Sequence, residues 1–83
     1  IKGDICMNIC EATNCRIREL CAQKGISAYR NAFLAGMPPT TYKNILSGRS
    51  RNPGIVNINR IADALGVSIR EFYDSDLFDS LDA

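Results

Sequence analysis

Two sets of residues in this 83-residue chain could do chemistry by type and spacing: four cysteines near the start, and hydroxyl, amide and cationic side chains through the middle. Cys6, Cys10, Cys15 and Cys21 follow a C-x3-C-x4-C-x5-C pattern. Structural zinc sites draw on close Cys pairs or on Cys combined with His. This chain has no C-x2-C step and no histidine, so neither a metal nor another cofactor is expected. No basic start followed by an apolar run marks a secretion signal. Reduced thiols are therefore expected rather than a disulfide framework. Cys21 reads as a small core hydrophobe, and Cys6 and Cys10 share one face if their segment is helical. A redox or metal-sensing role is an open alternative.

The second set is Thr40, Thr41, Lys43, Asn44, Ser47, Arg49 and Arg51. These side chains can bond base edges and phosphates: an amide matches adenine, a hydroxyl or its methyl suits thymine, and cations suit phosphate or guanine. The net charge of +1 conceals how charge is distributed. Between Leu20 and Ala62 there are no acids, only Lys24, Arg30, Lys43, Arg49, Arg51 and Arg60; from Asp63 onward there are six acids against Arg70. A basic middle beside an acidic tail suits a polyanionic partner, because each neutralised phosphate releases counterions. Catalysis has no comparable support. There is no histidine, no carboxylate pair facing a nucleophile and no glycine-rich phosphate loop, and the serines fall where caps and loops explain them. Neither an enzyme nor a small-molecule substrate is expected. Apolar runs are too short to span a membrane, and a cytoplasmic protein is expected.

The elements that must position these residues are short helices punctuated by Gly and Pro, with no strand signal. The first runs from about Ala12 to Lys24, with Ile17, Leu20, Cys21 and Lys24 at helical spacing and Gly25 as its stop. Residues 1–11 either extend it or lie loosely across the domain. Ser27 caps a second helix over about Ala28–Ala35, ended by Gly36. Pro38 and Pro39 open a third helix that reaches about Ser47 and closes at Gly48. Two helices of this length, joined by a short glycine-containing connection, have the spacing of a helix-turn-helix. Tyr42 and Ile45 then face the core, and Thr40, Thr41, Lys43, Asn44 and Ser47 face outward. A polar loop carrying Arg49 and Arg51 leads to a fourth helix over about Ile55–Leu65, whose Ile58, Ile61, Ala62 and Leu65 form an apolar stripe. Ser68 and Glu71 read as a capping box for a fifth, with Phe72 inward. Leu77, Phe78 and Leu81 in the tail suit a last turn or a dimer contact. The expected architecture is all-α, a compact bundle of five short helices over 12–74, with an N-terminal extension at 1–11 and an acidic tail at 75–83.

The stretch from Gly36 through Pro53, followed by Ile61-Ala62-Asp63-Ala64-Leu65-Gly66-Val67-Ser68, resembles the Cro and phage-repressor-like helix-turn-helix family, also called the XRE family. The resemblance covers about residues 14–74. It implies a lambda-repressor-like domain whose third helix enters the major groove of double-stranded DNA, often as a homodimer. It further implies that Pro39, Thr40 and Asn44 occupy base-reading positions, and that Ser27, Lys43, Arg49 and Arg51 meet phosphates. Three departures stand out. Asn31 replaces a core leucine, Ala28 replaces a polar residue that touches the DNA backbone, and Pro39 removes a polar base-reading side chain. Fewer direct base bonds are expected, and so either modest sequence discrimination or more reliance on duplex shape. Tyr29, Phe33 and Leu34 add unusual apolar bulk to the second helix, suited to burial against residues 1–11 or a second subunit. The expected function is sequence-specific DNA binding as a transcriptional regulator of the repressor kind. The competing readings are an antitoxin-type partner protein and a protein-interaction module on the same fold that uses those apolar residues and the acidic tail.

Overall fold

A computed structural model describes residues 7–50 and 52–81, so Cys6 and Arg51 lie outside the described residues. Five α-helices follow in order: α1 (Ile9–Lys24), α2 (Ala28–Leu34), α3 (Pro39–Ser47), α4 (Ile55–Ala64) and α5 (Ile69–Phe72), then a 3-10 turn at Asp76–Phe78. The described residues form no strand, only an isolated bridge between Met7 and Leu81. The expected all-α bundle of five helices is the observed architecture.

The first helix opens at Ile9 rather than Ala12, which settles the described part of the stretch left open at 1–11. The cause is local. Asn8 accepts from the Glu11 backbone N–H at 2.8 Å while the Glu11 carboxylate accepts from the Asn8 N–H at 3.0 Å, a reciprocal cap. Ser27 caps α2 by accepting from the Arg30 N–H at 3.1 Å. Ser68 caps α5 through the Glu71 N–H at 3.0 Å, but the expected return bond from the Glu71 carboxylate is not made. The box at α5 is only half formed.

Three helix ends share one device. Gly36 donates to the Phe33 carbonyl and Met37 to that of Ala32, and the same pair of bonds recurs at Gly25 with Ile26 and at Gly66 with Val67. Each glycine is followed by an apolar residue that turns back onto the core, which fixes the angle at which the next helix departs. At Gly36 this matters most, because φ is +70° in the turn that sets α3 against α2. A side chain there would be strained.

The core is built from Ile17, Leu20 and Cys21 of α1, Ala32 of α2, Tyr42 and Ile45 of α3, Ile58, Ile61 and Ala62 of α4, and Phe72 of α5, with Met37, Leu65 and Val67 from the turns. Asn31, at the family's leucine position, is completely buried. The Tyr42 hydroxyl donates to its Oδ1 and its Nδ2 donates to the Ile61 carbonyl at 3.4 Å. The Cys21 sulfur sits 3.9 Å from both Asn31 Oδ1 and the Tyr42 hydroxyl. The amide is thus partnered, and it ties α2 to α3 and α4 where leucine would only fill space.

Thr13 and Arg16 are also buried, and Arg16 is the charged one. Its Nε donates to the Phe72 carbonyl at 2.6 Å, and its Nη2 to the carbonyls of Glu71 at 2.8 Å and Asp74 at 3.3 Å. Nη1 pairs with Glu19 at 2.6 Å. One guanidinium from α1 therefore satisfies the open C-terminal carbonyls of α5. Tyr73 then stacks edge-on to both Phe72 and Phe78 at 4.9 Å, and the tail lies against α1.

Candidate nucleic-acid interface

The sequence of α3 sets which side chains it presents. Pro39 takes the first helical position, where its missing N–H costs nothing. Tyr42 and Ile45 anchor the inner face. Pro39, Thr40, Lys43 and Ser47 are left exposed, with Thr41 and Asn44 half-buried on the flank. The far end is held by several groups. Gly48, at φ +83°, donates to the Ile45 carbonyl; the Ser50 N–H donates to that of Asn44 at 3.1 Å; and Arg18 of α1 donates to that of Leu46 at 3.1 Å. With these carbonyls satisfied, the helix has little freedom to fray.

The flanks of α3 open into two recesses. One, of about 330 Å³, is polar and lined by Thr41, Asn44, Arg49, Ser50, Asn52 and Asn57. Here the fold brings together three residues predicted from sequence, Thr41, Asn44 and Arg49, and adds asparagines from beyond the helix. Asn57 is oriented by donating to the Pro53 carbonyl at 2.9 Å. The other recess, of about 360 Å³, is mostly apolar and takes in Pro39, Lys43 and Ser47 beside Ala28 and Tyr29 of α2 and Arg18 of α1. Thr40 and Ser27 line neither.

Hydrogen bonding separates the hydroxyls. Ser27 uses its oxygen as a cap acceptor, so its proton remains to give to an acceptor such as phosphate. Ser47 donates its proton to the Asn44 carbonyl at 3.2 Å, which leaves it lone pairs only. Arg49 is exposed, and Arg51 lies outside the described residues.

Sequence reasoning passed over Arg18 and Asn57, and it did not place Tyr29 beside α3. Arg18 was hidden because the charges of residues 1–19 balance, although a cation on the first helix one turn before a core cysteine was a usable signal. Asn57 sits in a helix whose apolar stripe drew the reading away from its polar side. Tyr29, with Phe33 and Leu34, is expected against residues 1–11 or a second subunit; in the single chain all three are exposed, at 75%, 66% and 45%. The described part of the acidic tail lines neither recess.

No three His, Cys, Asp or Glu side chains gather as a metal site among the described residues. None of the described helices is long and apolar enough to cross a membrane. Comparison with known proteins is consistent across sequence and shape. The helix-turn-helix family model matches residues 17–72. No curated protein matches the sequence. Among solved structures the chain is similar to the prophage Lp1 protein 11, at 30% identity and a TM-score of 0.77, over 83% of this chain and 91% of that one. Read with the geometry of α2 and α3, these findings establish that the chain belongs to the XRE-type helix-turn-helix family, whose domains are DNA-binding and of the transcription-regulator type.

Proposed function

We propose that this protein is a sequence-specific regulator, acting as a repressor, that places α3 in the major groove of a duplex operator. The observation that carries this reading is the convergence of Thr41, Asn44 and Arg49 on one open polar recess that the described tail leaves uncovered. In that pose Asn44 reads an adenine edge, Thr40 and Thr41 meet a thymine methyl or a hydrogen-bond acceptor, and Ser27, Lys43, Arg49 and Arg51 meet phosphates. Pro39 contributes shape and no hydrogen bond. Ser47 can only accept from this conformation. In a two-fold dimer the two α3 helices would lie about 34 Å apart, on successive turns of the groove.

The test is a titration of duplex DNA, with sites first selected from a random library. Asn44→Ala should cost about 1–3 kcal/mol on the selected site and much less on mixed duplex. Replacing Arg49 and Arg51 together by Gln should weaken both and flatten the salt dependence by about two counterions. Equal losses for Asn44→Ala on both duplexes would refute base reading. A wild-type protein that binds no duplex at low salt would refute the function and favour the second reading, a protein-interaction module using the exposed Phe33 and Leu34.

A further inference from the structure

The connection from α3 to α4 is tied down near its start by backbone and near its end by a side chain. At the start the Ser50 N–H donates to the Asn44 carbonyl at 3.1 Å. At the end Asn57 donates from Nδ2 to the Pro53 carbonyl at 2.9 Å. That second bond spans Gly54, which sits at φ +87° and has no side chain with which to cap α4. Glycine is the residue least able to hold such a corner by itself. Asn57 is the third residue of α4, a position from which side chains commonly reach back to the N–H of the capping residue. Here the amide reaches one residue further, to a carbonyl outside the helix. The core makes no use of it: Ile58, Ile61 and Ala62 are buried, whereas Asn57 is half-buried and lines the polar recess that also holds Asn44 and Arg49.

We infer that Asn57 is a positioning residue for DNA binding: it locks the loop after α3 onto α4, so that Arg49 meets phosphate from a preset position, and it does not itself touch the duplex. The inference rests on the DNA-binding reading above, in which Arg49 is a phosphate contact. The proline ring sets φ at Pro53, and the amide bond across Gly54 closes the remaining freedom at the corner. A loop held in this way before binding loses less conformational entropy in the complex than one that must be ordered there. Asn57 therefore acts on affinity through Arg49, and its effect depends on the guanidinium being present.

The experiment is a double-mutant cycle between Asn57 and Arg49, read as binding of the full chain to a mixed-sequence duplex by fluorescence anisotropy over a range of salt. Asn57→Ala should weaken binding about threefold to tenfold and flatten the slope of log K against log salt by up to about one counterion. Asn57→Thr should recover most of both, because a threonine hydroxyl can bond the carbonyl four residues back. In an Arg49→Gln background Asn57→Ala should change little, so that the two losses do not multiply. Should the alanine variant unfold, Asn57→Leu, close in shape and unable to donate, takes its place in the cycle. Losses that multiply in full overturn the inference, since an amide that contacts DNA directly, or that only stabilises α4, acts independently of Arg49. Wild-type affinity and slope for Asn57→Ala overturn it too. If that variant binds normally while Asn44→Ala and the Arg49 and Arg51 change still weaken binding, the positioning role fails and the DNA-binding reading stands.

Discussion

Asn31 puts an amide where a leucine would be the simpler choice, and the protein retains it by pairing it with a tyrosine. Tyr42, like the amide its hydroxyl bonds, is buried. Removing either partner alone strands the other away from water, at about 1–3 kcal/mol. Replacing both with apolar residues removes the demand altogether. Asn31→Leu and Tyr42→Phe should therefore each lower stability in urea unfolding, while the double variant loses less than their sum by about 1–2 kcal/mol. The Ile61 carbonyl is not stranded by this exchange, since it also accepts from the Leu65 N–H. Strictly additive losses would mean that the two side chains do not act as a pair.

At the scale of elements, α5 is a single turn, and its place in the fold depends on Arg16 reaching across from α1. The guanidinium bonds three backbone carbonyls of residues 71–74, whereas its ion pair is with a Glu19 whose side chain is 45% exposed. These contributions are separable. Arg16→Ala should cost about 2–4 kcal/mol, because buried carbonyls lose a charged donor. Glu19→Gln should cost under about 1 kcal/mol, as expected for an exposed partner screened by solvent. Hydrogen exchange adds a local signature: the Phe72 to Asp79 amides should lose protection in Arg16→Ala beyond the global change. Uniform loss across the molecule would count against a specific bracing of α5 and the tail.

For the molecule as a whole, buried acids that ionise only at high pH link stability to alkali. Burial pushes the Tyr42 phenol well above its ordinary value of 10, with the Cys21 thiol beside it adding to the effect. Burial likewise raises Cys21 above 9 and Tyr73 above 10. In each case the native pKa exceeds the unfolded one. The stabilisation is complete below the unfolded value and is lost as pH climbs toward the native value, because the unfolded chain releases its proton first. The urea midpoint should be flat with respect to these groups up to about pH 8.5 and fall beyond about pH 9. Tyr42→Phe should make the decline above about pH 10 shallower. A midpoint unchanged to about pH 11 in the wild type would contradict the burial of these groups.

Much of the architecture was legible from local rules. Ser27, Ser68, Gly25, Gly36, Gly48 and Gly66 mark helix ends because caps and left-handed turns are decided by one or two residues and their nearest backbone. Tyr42 and Ile45 declare the inner face of α3 by their spacing, so Thr40, Lys43 and the rest of its polar flank could be named in advance. The Asn8 and Glu11 cap was equally local and was passed over, which placed the start of α1 at Ala12. What the chain order could not disclose are meetings between distant residues. Arg16 with the end of α5, Asn31 with Tyr42 and Ile61, Arg18 with the Leu46 carbonyl of α3, and Asn57 in the same recess as Asn44 all depend on how the helices pack. Sequence by itself determined the helices, their ends and the outward side of α3, because those follow from interactions within a turn or two. Tertiary structure alone decided which polar groups are buried in partnership and which cation of another helix comes beside α3, because a side chain's desolvation and its neighbours exist only once the helices are in contact.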